Sequence, residues 1–97
     1  MNTESEKYFV YVLPLSDGSF YTGYTHDIKQ RLREHMNGTG SKYVRSRLPI
    51  GPNVYVEEHK TKRKAMQREI AIKKMKSQDK AALFLYAGLM SNSRVLR

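Results

Sequence analysis

Two strand-like runs, Tyr8 to Leu15 (YFVYVLPL) and Ser19 to Thr25 (SFYTGYT), are separated only by Ser16-Asp17-Gly18, and this pairing constrains the fold more than any other feature. Aromatic and β-branched residues favour extended backbone and Asp-Gly favours a tight reversal, so the stretch predicts an antiparallel β-hairpin. The turn length decides which side chains share a face. A two-residue Asp17-Gly18 turn pairs Tyr11 with Tyr24 and sends Tyr21 to the opposite side. A three-residue loop with Gly18 left-handed pairs Leu15 with Ser19, Leu13 with Tyr21 and Tyr11 with Gly23. Tyr11 and Tyr21 then share a face, and the bare glycine opposite Tyr11 offers room for a ligand beside the backbone. Local chemistry permits both registers.

Beyond the hairpin, Thr25 is a candidate N-cap for a helix from His26, with Asp27 in the first turn, an apolar stripe of Ile28, Leu32 and Met36, and an end at Asn37-Gly38. Gly38 to Pro52 is a basic loop, and Asn53 to Glu58 alternates as a third strand. Thr61 caps a predicted helix from Lys62 to about Lys76, and Ser77 caps a final apolar helix that stops near Gly88. The order is ββαβαα: an α/β (α+β) chain with a small three-stranded, mainly antiparallel sheet flanked by helices. Ninety-seven residues at 39% hydrophobic suit a single domain over 1–97, with a core at about 8–88 and frayed ends, Ser91 to Arg97 among them. Ala81 to Met90 reads first as a core helix and alternatively as the surface of a homodimer.

The chain has no cysteine, which removes disulfides, thiolate zinc sites and thiol nucleophiles, and suits a reducing compartment, the cytoplasm. Met1 to Lys7 is polar, and Ala81 to Met90 is about half the length a bilayer span requires, so no membrane role is expected. Eighteen Lys and Arg against nine Asp and Glu give a net charge of +9, which calls for a polyanionic partner. Nine of these cations lie between Lys60 and Lys80 against two acids, Glu69 and Asp79. A second cluster, Lys29, Arg31, Arg33, Lys42, Arg45 and Arg47, surrounds the glycine-containing turn. Nucleic acid fits two such clusters better than a merely solubilising surface does.

Glu69 stands out. At 100° per residue it falls among Ala65, Met66, Ile70 and Ile72, on the apolar face of a basic helix. A carboxylate so placed needs a cation, a hydrogen-bond donor or a metal; an ion pair with a neighbouring Lys or Arg is the plainer account. Arg31 and His35, four residues apart, project from one helical face and make a reasonable phosphate site. Between Gly38 and Arg47, Lys42, Arg45 and Arg47 suit phosphates and Tyr43 suits stacking on a base, the alternative being a solvated loop. No phosphate-binding glycine loop, zinc-ligand spacing or nucleophile elbow is present.

As a set, Phe9-Val10-Tyr11, Tyr21-Thr22-Gly23, Arg31 ten residues after Tyr21, His35 and a glutamate on a later helix resemble the GIY-YIG nuclease superfamily. The stretches YTGYTHDIKQRLREH, GTGSKYVRSRLP and QREIAIKKMKS are similar to its small single-domain branch, and the likeness runs from about Tyr8 to Ala82. The first tripeptide departs, with Phe9 where glycine is usual. The resemblance favours the three-residue hairpin loop. It implies metal-dependent endonuclease hydrolysis of phosphodiester bonds, structure-selective or non-specific, on DNA more than RNA. Glu69 would ligate one divalent ion, Mg2+ or Mn2+, Arg31 would stabilise the phosphoryl charge, and Tyr11 and Tyr21 would orient the attacking water. Tyr21, Tyr11 and His35 all stay open as the general base. Lys42, Tyr43, Arg45, Arg47, Lys73 and Lys74 would bind the strand. The alternatives are a module that has kept the fold and binds nucleic acid without cutting it, or a structural RNA protein.

Overall fold

A computed structural model describes residues 7–96. The elements are β1 (Tyr8–Pro14), β2 (Phe20–Thr25), α1 (Ile28–Met36), α2 (Lys42–Arg45), β3 (Val54–His59), α3 (Lys62–Lys73), α4 (Ser77–Leu85) and β4 (Ser93–Leu96). They form one antiparallel sheet in the order β2-β1-β3-β4, with helices on both faces.

The hairpin takes the three-residue register. Tyr11 stands opposite Gly23 and Leu13 opposite Tyr21. The Leu15 amide donates to the Ser19 carbonyl, and Gly18 is left-handed at φ 85°. Period-two alternation then divides β1 between the two faces. Tyr11, Leu13 and Leu15 pack with Ile28, Val44 and Val56 beneath α1 and α2, whereas Val10 and Val12 pack with Tyr55, Ala65 and Ile72 beneath α3 and α4.

Several expectations are corrected. The sheet has four strands, because Ser93–Leu96, expected to be frayed, pairs with β3 from Val54↔Leu96 to Glu57↔Ser93. Leu96 packs against the α1-side core, and the added strand covers what would otherwise be an open edge of β3. Arg97 lies outside the described residues. The first helix starts two residues later than expected: the Thr25 hydroxyl accepts from the Asp27 amide, and Asp27 is the cap, accepting from the Gln30 amide at 3.1 Å. The basic loop contains α2, capped by Ser41. Thr61 does cap α3, but that helix ends at Lys73, and the cap position of α4 is Lys76 rather than Ser77. Met66 and Ile70, expected on the apolar face of α3, are exposed; Ala65 and Ile72 carry the burial.

The Ala81 to Met90 stretch divides. Leu83 and Phe84 pack against the α3-side core, while Leu85, Tyr86, Leu89 and Met90 are exposed. Among the described residues no helix is long and apolar enough to cross a membrane.

Candidate active site

The α1 face of the sheet buries a tyrosine and a histidine against each other. Tyr11 on β1 is 1% exposed and His35 on α1 is fully buried. The Tyr11 hydroxyl lies 2.8 Å from His35 Nε2. Tyr21, one strand over and half-buried, completes the cluster, its ring centroid 6.3 Å from Tyr11 and 5.2 Å from His35. The three-residue turn makes this possible, since the other register would have turned Tyr21 away.

Two glycine backbones close on the pair. A Cβ at Gly23 would stand 2.5 Å from the Tyr11 hydroxyl oxygen, and one at Gly40 would stand 2.7 Å from His35 Nδ1. Gly23 was expected to leave room for a ligand, and that expectation is corrected: the Tyr11 ring itself fills the space. His35 Nδ1 is buried without a hydrogen-bond partner among the described residues. Either neutral tautomer therefore leaves one ring nitrogen unsatisfied. The protonated ring would bury a charge and an unpaired N–H.

Charge follows from this packing. Burial, and then the Arg31 guanidinium, hold His35 down at about 4, against a smaller opposing effect of Glu34. Burial pushes the Tyr11 hydroxyl up to about 12. Arg31 opposes that rise, while Tyr21 and Glu69 add to it. Arg31 is itself lifted above its ordinary value, first by Tyr11 and also by Glu34, whose carboxylate it meets at 3.0 Å. Of the five expected residues, Tyr11, Tyr21 and His35 are in contact and Arg31 lies beside the Tyr11 hydroxyl, while Glu69 stands on α3 with no hydrogen bond or ion pair to the other four among the described residues. Glu69 is mostly buried and also meets Lys73 at 3.6 Å, the ion pair that its spacing allows.

Around this centre the expected strand-binding residues fall into three groups. Lys42 and Arg45 are exposed on α2. Lys74 is exposed at the end of α3, beside the paired Lys73. Tyr43 and Arg47 are tied into a cluster of their own. Arg47 lies 3.6 Å over the Tyr43 ring and bonds Asp17 at 2.9 Å, so it is committed to protein groups.

Sequence reasoning missed Glu34, although its i,i+3 spacing from Arg31 was legible, and missed the approach of Gly40 to His35, which no local pattern signals. It also missed a buried carboxylate on the other face. Glu57 on β3 accepts from Tyr55, and from Arg68 of α3 at 2.8 to 3.0 Å, and it meets His59 at 3.0 Å. That network fixes α3, and with it Glu69, against the sheet.

The model of the GIY-YIG catalytic domain matches residues 7–82, most of the chain, a span that includes all five of these residues. The chain belongs to the GIY-YIG family. Its relatives include a UPF0213 protein of Streptococcus sanguinis, 49% identical over 78% of this chain and 86% of the relative. Another, from Halobacterium salinarum, is 45% identical over 77% of this chain and 96% of the relative. A protein of E. faecalis solved by solution NMR is 38% identical and superposes with a TM-score of 0.52 over 79% of this chain and 81% of that one. GIY-YIG is a nuclease family whose members generally use a divalent metal. Among the described residues no three His, Cys, Asp or Glu side chains gather as a ready cage. A single, mostly buried carboxylate such as Glu69 still fits a hard cation such as Mg2+, which keeps several waters and is commonly completed by substrate phosphate.

Proposed function

We propose that the chain is a metal-dependent endonuclease acting on phosphodiester bonds in nucleic acid, DNA in preference to RNA, in the cytoplasm. The observation that carries this reading is the Tyr11–His35 hydrogen bond, a hydroxyl on a neutral, buried proton acceptor with Arg31 beside it. Glu69 would hold one divalent ion, Mg2+ or Mn2+, whose chemistry is to neutralise the scissile phosphate and the leaving oxygen.

The roles of the side chains follow from their contacts. His35 is closed to solvent and cannot touch a phosphate; it accepts a proton at Nε2. Tyr11 delivers that proton as its oxygen takes one from the attacking water. Moving a proton from a group near 12 to one near 4 is uphill by roughly 11 kcal/mol, at about 1.4 kcal/mol per pKa unit. A turnover of one per second tolerates a total barrier of about 17 kcal/mol. A free phenolate is therefore too costly as a resting state, and the transfer has to accompany attack. Arg31 supports it twice, by favouring the Tyr11 oxyanion and by meeting the phosphoryl charge. Tyr21, half open to solvent beside both groups, orients the water.

One observation favours the competing reading, a binding module without the reaction: Tyr11 is 1% exposed, so its hydroxyl is shut from bulk water. A labelled panel of DNA and RNA structures, incubated with Mg2+ or Mn2+ and with EDTA, separates the two. The expected result is cleavage that needs the ion, is lost in Glu69→Gln, and is lost without a fall in affinity. Normal cleavage by folded Glu69→Gln would sink the metal assignment, and no cleavage by the unaltered protein would leave the binding module.

A further inference from the structure

Beside the Tyr11–Tyr21–His35 centre stands a second aromatic arrangement that the hydrolytic reading does not use. The Tyr43 ring lies 6.3 Å from Tyr21, centroid to centroid, and Tyr43 is 40% exposed. The Arg47 guanidinium lies 3.6 Å over the Tyr43 ring. Both side chains are fixed at their polar ends. The Tyr43 hydroxyl donates to Ser19 Oγ at 3.1 Å, and Ser19 in turn donates to Asp17 at 2.6 Å. Arg47 donates to Asp17 at 2.9 Å, to Ser46 Oγ at 2.8 Å and to the Tyr43 carbonyl at 3.1 Å. The Ser19 bonds, and to a lesser degree Arg47, hold the Asp17 carboxyl below the usual carboxylate range.

This arrangement does not suit a phosphate. The charge of Arg47 is answered by Asp17, and three of its five N–H donors, those on Nε and Nη1, go to protein oxygens. What remains is a flat surface of ring and guanidinium, part open to solvent and held still before any ligand arrives. Such a surface suits the face of a nucleobase: stacking needs a π plane and no hydrogen-bond code, and a plane already immobilised loses little entropy on binding. A base within an intact duplex has both faces covered by its neighbours, so only an unstacked base can use the surface.

Resting on the nucleic-acid reading above, we propose that the Tyr43–Arg47 stack binds one unpaired nucleobase next to the scissile phosphate. The preferred substrate is thus a strand with an unstacked nucleotide, not continuous duplex. Exposed Lys42 and Arg45, on the same short helix as Tyr43, take the flanking phosphates.

The test measures binding in EDTA, so that it is independent of cleavage, with a short oligonucleotide carrying 2-aminopurine, either alone or annealed into a blunt duplex. The unaltered protein should bind the single strand more tightly and quench the 2-aminopurine. Tyr43→Ala should lose the quenching and roughly 5- to 150-fold in affinity for the single strand. An abasic site at the quenched position should weaken the unaltered protein by a similar factor and leave Tyr43→Ala indifferent. Tyr43→Phe keeps the ring and should stay close to the unaltered protein. If Tyr43→Ala does not fold, Arg47→Lys, which keeps the charge and loses the plane, should show the same dependence on the base. Equal affinity for duplex and single strand, or an abasic strand bound as well as an intact one, would overturn the stacking site while leaving the nuclease reading standing. Failure of the unaltered protein to bind any strand would remove both.

Discussion

Each face of the sheet buries a polar centre, and the two are built on opposite terms. On the α3 face Glu57, 4% exposed, is met by Tyr55, His59 and a two-pronged Arg68, so both carboxylate oxygens are satisfied. On the α1 face Tyr11 and His35 share one hydrogen bond, His35 Nδ1 has no partner among the described residues, and two glycine backbones press on the pair. A fully satisfied buried network rigidifies; one left short of a partner stays costly and chemically available. The contrast suits the Glu57 centre to architecture and the Tyr11–His35 centre to the chemistry proposed above, although both place an ionisable group beside an arginine.

The largest expected effect comes from breaking the satisfied centre. Arg68→Ala leaves Glu57 buried without its cation, and stranded buried charges cost about 3–5 kcal/mol. Tyr55 and His59 remain, and Arg68 is itself a third exposed, so the lower end, about 3 kcal/mol, is expected. For a chain of this size that corresponds to a fall in melting temperature of roughly 12–24 °C, read by calorimetry. A fall of only a degree or two would show the Glu57 network to be a surface pair, and the contrast between the faces would go with it.

Acid titration sharpens the contrast, because the two centres fail in different pH windows. His35 is depressed to about 4 in the folded chain, against 6.5 when free. Its contribution is therefore present above pH 6.5 and is lost as pH falls to about 4, a total of about 3 kcal/mol. The Glu57 carboxyl is held below its ordinary 4.5; burial alone would raise it, but the bonds from Arg68, Tyr55 and His59 outweigh burial. Its contribution is lost only below pH 4.5. Denaturant melts between pH 7 and 4 should show the first loss in the unaltered protein and not in a folded His35→Gln variant. An unchanged slope in that variant would mean that His35 is not the group being charged.

What the sequence disclosed divides along the same line. The hairpin itself, the capping of α3 by Thr61 and the Arg31–His35 spacing rest on local pattern and are legible in one dimension, whereas the choice between the two hairpin registers and the grouping of Tyr11, Tyr21, Arg31, His35 and Glu69 come from the family resemblance. The Glu57–Arg68 pair joins a strand to a helix eleven residues on, and nothing in NVYVEEH marks which of its two acids turns inward. Gly40 against His35 is likewise a tertiary contact. Strand β4 was the nearer miss: Ser93 to Leu96 contains β-branched Val95 between polar and apolar neighbours, but a four-residue strand is defined by the edge it covers more than by its own propensity. Met66 and Ile70 show the converse, since an ideal helical projection put them inward whereas the sheet engages only Ala65 and Ile72.

The smallest expected effect leaves stability unchanged and asks which face the strand follows. Lys42 and Arg45 lie on the α1 side and Lys74 at the end of α3, all exposed and in no ion pair among the described residues. Each phosphate contact contributes roughly 0.7–0.9 to the slope of log affinity against log salt, so replacing a contacting cation by Ala should flatten the slope by about that much. Lys7, paired with Glu58 at 3.2 Å, serves as the control and should change nothing. If Lys42→Ala and Arg45→Ala flatten the slope and Lys74→Ala does as well, the strand crosses the edge of the sheet at β2, passing Tyr11 and Glu69 in turn. If only Lys74→Ala acts, the strand runs along α3, and the chemistry assigned to the α1 face loses its substrate. Filter binding at several salt concentrations, with melting temperatures within a degree of the unaltered protein, decides between these paths.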